Sequence, residues 1–154
     1  MAFYAHKISC AGWDLTRNIL DDSPTDIPGK IPAATITGDL RAIENKISWW
    51  KIEDASEAPK VAAAMVQLNK IDEIRNTKLI LIDCDVLERE FALNQTPGKT
   101  DFVEMIDRHY DLECPDYETL GKLACVIAKR YASEEDDAVV SVRKNQIKAV
   151  IERS

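Results

Sequence analysis

The stretch Lys78 to Val86, KLILIDCDV, limits this chain more than any other. On an extended backbone, successive side chains point to opposite faces of a sheet. Ile80, Ile82, Cys84 and Val86 then share one face, and Leu79 and Leu81 share the other. A strand that is apolar on both faces must be covered on both faces. A second such strand is read at Lys46 to Glu53, KISWWKIE, with Ile47 and Trp49 on one side and Trp50 and Ile52 on the other. The two adjacent indoles must therefore point in opposite directions. Trp50 is assigned to the core because Ile52 shares its face.

Between these strands the pattern changes to helical. Asp54 or Ser56 can cap, Glu57 follows Asp54 at the spacing of a capping box, and Pro59 falls in the first turn, where a missing N–H costs nothing. Val61, Met65, Leu68 and Ile71 then follow helical spacing to about Ile74. Strand, helix and strand joined by short connections form a βαβ unit over 46–86, whose two strands are expected to lie side by side and parallel.

The remainder supplies smaller elements. Residues 2–9 alternate as a strand, Ala33 to Ile43 as a short helix, and His109 to Cys114 as a weak strand. Asp101 to Ile106 begins a helix. Asp116 can cap another, with Leu120, Leu123, Ala124, Ile127 and Tyr131 on one face. Val139, Val142, Gln146, Ala149 and Val150 suit a last helix. Asp21 to Pro32 holds three prolines and reads as a surface loop. A length of 154 residues suits a single globular domain, 1–154. The expected class is α/β, with a small mixed sheet of about four strands and packed helices. An α+β layout is the alternative.

No signal peptide and no membrane-spanning apolar run is read, so a cytoplasmic location is expected. The four cysteines, Cys10, Cys84, Cys114 and Cys125, form no C-x-x-C pair and are expected to be reduced.

Chemistry is sparsely signalled. Asp83 and Asp85 flank Cys84 at the carboxyl end of the strongest strand, on one face if the strand continues. Ligands of α/β sheets usually bind at that edge. Two such carboxylates suit Mg²⁺ and a metal-dependent phosphoesterase or nuclease. The pattern resembles the motif of haloacid-dehalogenase-type phosphatases, which would make Asp83 a nucleophile and Asp85 a general acid. The likeness is short, lies mid-chain, and meets Val86, Leu87 and Glu88 where that family continues with glycine and Thr or Val. Membership is not assigned. Gly98-Lys99-Thr100 resembles the tail of a phosphate-binding loop, but Leu93 stands where its first glycine is needed. The two histidines, His6 and His109, lack a zinc-helix partner. His109 lies between Asp107 and Asp111, as a histidine held by a carboxylate or as a polar surface residue.

Charge is unevenly placed. The chain carries 20 Lys and Arg against 27 Asp and Glu, a net charge of −7, which disfavours non-specific binding to nucleic acid or anionic membrane. Seven acids, Asp101, Glu104, Asp107, Asp111, Glu113, Asp116 and Glu118, fall within 101–118 against one base, Arg108. Four more acids lie in 133–137. If 101–111 stays helical, Asp101, Glu104 and Asp111 share a strip. The preferred functional expectation is therefore a small acidic interaction protein of immunity, antitoxin or inhibitor type. It would use those seven acids on a basic partner, without a cofactor. The Asp83 and Asp85 phosphoesterase is the alternative.

Overall fold

The strongest strand does form, and it is buried as its pattern requires. In the computed structural model, which describes residues 2–9, 11–13, 31–133 and 135–153, strand β3 runs Thr77–Asp83. Strand β2 runs Lys46–Ile52 and strand β1 runs Phe3–Ile8. Ile80, Ile82, Ile47 and Trp49 enter one hydrophobic cluster. Leu79, Leu81, Trp50 and Ile52 enter another on the opposite face. Both indoles are thus core, as the alternation requires.

The pairing differs from the expected βαβ unit. The sheet has six strands in the order β4-β5-β2-β1-β3-β6, and every neighbouring pair is antiparallel. Strands β2 and β3 do run in the same direction. They do not touch, because β1 lies between them and is antiparallel to both. A strand buried on both faces still needs a partner at each edge. The apolar β1 (Phe3, Tyr4, Ala5 and Ile8 are buried) fills that slot. Alternation specifies faces and is silent about neighbours. The molecule therefore combines helices with a six-stranded antiparallel sheet, in place of about four mixed strands.

Helices cover both faces. On one, helix α4 (Tyr117–Ala132) packs through Leu123, Ala124 and Ile127, beside α1 (Ala33–Asp39) and α3 (Cys84–Glu90). On the other, α2 (Ala58–Ala64) packs through Val61 and Ala62 to Ala64, beside α5 (Lys144–Arg153). Helix α4 begins as its sequence indicates, with the Asp116 carboxylate accepting from the Thr119 N–H at 2.8 Å. Asp54 does the same for the turn ahead of α2, accepting from the Ser56 N–H at 2.8 Å.

Helix α2 ends at Ala64, not near Ile74. The Leu68 N–H, which a continuing helix would direct at the Ala64 carbonyl, donates instead to the Asp101 carboxylate at 3.2 Å. Leu68–Glu73 forms tight 3₁₀ turns, and Leu68 and Ile71 face solvent. The expected last helix is also divided. Val139–Val142 is strand β6, and α5 starts after it. Valines three apart fit a helix face, but β-branching and an open edge on β3 favour a strand. Strand β4 (Leu93–Gln95) has no counterpart in the sequence reading, whereas β5 (His109–Glu113) does. Residues 14–30, which hold most of the proline-rich stretch, lie outside the described residues, as does Cys10. Cys84 and Cys114 are free thiols. Among the described residues no helix is long and apolar enough to cross a membrane.

Candidate functional site

Strands β1 and β2 pair only from Phe3 to Ala5, opposite Ile52 to Trp50. Beyond that point they part. His6 to Ile8 continue with β3, while Lys46 to Trp49 continue with β5. The fork leaves backbone acceptors without ladder partners, and the His6 imidazole bridges the gap. Its Nδ1 lies 2.8 Å from the Ser48 carbonyl oxygen and its Nε2 2.6 Å from that of Asp39. A ring with hydrogen on both nitrogens satisfies both carbonyls, and a neutral ring satisfies one. The Asp39 carboxylate is itself buried. It accepts from the Ser9 N–H at 3.1 Å, the Ser9 hydroxyl and the Trp13 indole N–H at 2.8 Å, fixing the end of β1 to α1.

The other wall is β5 and the turn before it. The Thr96 hydroxyl donates to Asp111 Oδ2 at 3.0 Å and lies 2.9 Å from His109 Nδ1. A hydroxyl has one hydrogen, and it is spent on Asp111. His109 Nδ1 must therefore donate to Thr96, which leaves Nε2 as the free ring position. Nε2 has no hydrogen-bond partner among the described residues and is not buried, so it meets solvent. The ring stands edge-on to Trp50, centroids 4.9 Å apart. Gly98 passes so close to this pair that a Cβ there would lie 2.7 Å from the Trp50 ring. The Gly98-Lys99-Thr100 segment thus owes its glycine to packing.

These walls enclose an open groove of about 670 Å³. Ile47, Trp50, Ala64 and Met65 give it apolar surface, and both histidines of the chain line it. Its charged lining is Arg41, Lys46 and Lys99 against Glu44 and Asp111. A second groove of about 330 Å³ adjoins it, sharing Met65, with Lys7, Lys70 and Arg75 against Glu73. All six bases are exposed. None makes an ion pair among the described residues, whereas Lys60, Arg108 and Lys122 do. On a chain of net charge −7, the grooves collect uncompensated positive charge.

The residues marked in the sequence lie elsewhere or have local tasks. Segment 101–111 is not one helix: 3₁₀ turns at Val103–Arg108 lead directly into β5. The continuous acidic strip therefore does not form. Asp101 holds the Leu68 amide, and Glu104 lies 3.4 Å from Lys60. Asp111 faces the groove, and Glu113 accepts from Asn94 at 3.0 Å. Asp116 caps α4, Glu118 lies 3.7 Å from Lys122, and Asp107 is exposed. Arg108 pairs with Glu57. Burial works to raise the Glu57 carboxyl, but hydrogen bonds from the Glu53 N–H and Arg108 outweigh it and hold it below the usual range.

Asp83 and Asp85 do not share a strand face. Strand β3 stops at Asp83, the Cys84 N–H bonds to the Ala2 carbonyl, and Asp85 lies in the first turn of α3. Neither lines the two grooves. Glu88 nearby is engaged by the Tyr4 hydroxyl at 2.8 Å and by Lys51 at 3.6 Å. Burial, and then Glu88, raise the Tyr4 phenol well above its ordinary value. Among the described residues no three His, Cys, Asp or Glu side chains converge to hold a metal. Asp14 lies outside them.

Thr96, Arg41 and Lys46 gave no sign in the sequence, and Lys99 showed only as part of a Gly-Lys-Thr turn, because segments far apart supply these residues and only the fork brings them together. Comparison with known proteins finds no matching family model, no matching curated protein and no matching solved structure.

Proposed function

We propose that this is a binding protein and that the groove at the β1–β2 fork takes an anionic ligand with an apolar portion. The observation that carries this reading is the gathering, around two adjoining grooves on an acidic chain, of six exposed bases with no ion pair among the described residues. Like charges held together repel, and a bound anion relieves that repulsion. Ile43 and Met65 supply exposed apolar surface. The three bases of the larger groove supply polar contacts, in the manner of small-molecule and peptide sites. A ligand that binds the folded chain alone raises its melting temperature. Anionic compounds with an aromatic or aliphatic body should do so at low salt. The variant carrying Arg41→Glu, Lys46→Glu and Lys99→Glu should lose the effect. Stabilisation that is equal in the variant, or found with no anion, refutes the assignment.

A second reading rests on a different observation. Val103 is 79% exposed beside Glu104, and Tyr117 is 90% exposed between Asp116 and Glu118. Exposed aromatic and aliphatic side chains among acids suit a surface for a basic protein, as in an inhibitor, antitoxin or immunity protein. Asp107→Lys with Glu118→Lys should then abolish capture of a basic partner. Capture that survives with the same salt dependence refutes it.

A further inference from the structure

The smaller groove lengthens the larger one. Met65 lines both, so the two meet there as one trough, with Arg41, Lys46 and Lys99 against Glu44 and Asp111 in one part and Lys7, Lys70 and Arg75 against Glu73 in the other. An ion the size of phosphate could occupy only part of it. Exposed aliphatic side chains line it beside the bases: Ile43 is 66% exposed and Met65 37%.

This mixture discriminates between polyanions. A single-stranded nucleic acid is held by bases together with open aromatic faces on which its rings stack. The aromatic ring available here, Trp50, is only 6% exposed and is packed against Gly98 and His109. A peptide that carries carboxylates and aliphatic side chains matches both the charge and the apolar surface. We infer that the occupant is an extended, acidic, amphipathic peptide segment of a partner protein, lying along both grooves across Met65. This rests on the anionic-ligand reading above and extends it from the fork to the whole trough.

Fluorescence anisotropy on the full chain tests it with three labelled probes of equal charge: a peptide of alternating Glu and Leu, an all-Glu peptide and a single-stranded oligonucleotide. Unlabelled inorganic phosphate serves as competitor. The Glu/Leu peptide is expected to bind most tightly. Reversing Arg41 and Lys46 to Glu, and separately Lys70 and Arg75 to Glu, should each weaken it on the order of tenfold. Met65→Gln should weaken it without changing the charge. All these side chains are exposed, so melting curves of the variants serve as the folding control. An effect from the Arg41 and Lys46 pair with none from the Lys70 and Arg75 pair overturns the extended occupant and leaves the fork site standing. So does complete displacement of the peptide by phosphate. Tighter binding of the oligonucleotide, or equal binding of the all-Glu peptide, overturns the amphipathic peptide. Failure of every probe and of phosphate removes the anionic-ligand reading as well.

Discussion

Replacing Gly98 by alanine tests the packing that shapes the groove. The added Cβ would lie 2.7 and 2.9 Å from two atoms of the Trp50 ring and 3.1 Å from His109 Cβ. Ordinary carbon contacts sit at about 3.5–4.0 Å, so the neighbours must retreat by roughly half an ångström to one ångström. Neither side is free to do so. Trp50 is buried in β2 and paired in register with His109, and the Gly98 N–H is held by the Ile106 carbonyl at 2.9 Å. Overpacking of this kind costs about 1–3 kcal/mol. For a chain of this length that corresponds to a melting temperature lowered by roughly 2–12 °C. Gly38→Ala is the matched control. It makes the same chemical change inside α1, where an added Cβ meets nothing within 4 Å. Alanine is favoured over glycine in helices, so this variant should melt at or slightly above the parent temperature. Differential scanning calorimetry of the three proteins decides. Equal melting temperatures, or an equal loss in both variants, would refute the argument from space.

Three further expectations follow from named contacts. Burial pushes the Cys84 thiol up to about 11, so at pH 8 it should resist alkylation in the native protein and react once urea unfolds the chain, as read by peptide mapping. Rapid native labelling of Cys84 would contradict its burial. Hydrogen bonds from the Thr119 N–H and hydroxyl hold the Asp116 carboxyl below the usual range, so its cap contributes fully above the unfolded-state pKa and is lost as pH falls through the folded one. Asp116→Asn keeps a capping oxygen and should narrow the difference between urea midpoints measured near neutrality and in acid; an unchanged difference counts against the cap. His6→Phe keeps a ring against Trp49 but frees the Ser48 and Asp39 carbonyls, and should destabilise by about 1–3 kcal/mol in urea titrations. A stability equal to that of the parent would show that the bridge across the fork is dispensable.

Alternation and capping were legible because they are local. The opposed indoles of Trp49 and Trp50, the split of Leu79 and Leu81 from Ile80 and Ile82, and the Asp116 cap all emerge as the spacing requires. Pairing was not legible, because hydrogen-bonded neighbours are chosen by the whole sheet. Nothing in residues 46–86 announces that β1 will enter between β2 and β3. Side chains acting on distant backbone also escaped notice. Asp101 takes the Leu68 amide just beyond the end of α2, more than thirty residues away. The candidate site was hidden for the same reason. His109 was visible as a histidine near Asp111, but the Thr96 hydroxyl that joins them comes from another segment. The acidic count in 101–118 carried no information on placement: Asp101, Glu113 and Asp116 accept from Leu68, Asn94 and Thr119, Glu104 and Glu118 sit beside lysines, and Asp111 faces the groove.

The position of β1 also sets the order in which the molecule can assemble. The strand that leads the sequence occupies the interior of the sheet, and its edges wait for Trp50 to Ile52 on one side and for Lys78 to Asp83 on the other. Both pairings close long loops, whose entropy must be spent before the hydrogen bonds are gained. During synthesis residues 3–8 are made before either neighbour and must wait first for residues 50–52 and then for residues 78–83. An apolar strand left open in that interval is open to capture by other chains. The native state is therefore guarded less by β1 itself than by the speed with which residues 46–83 reach it.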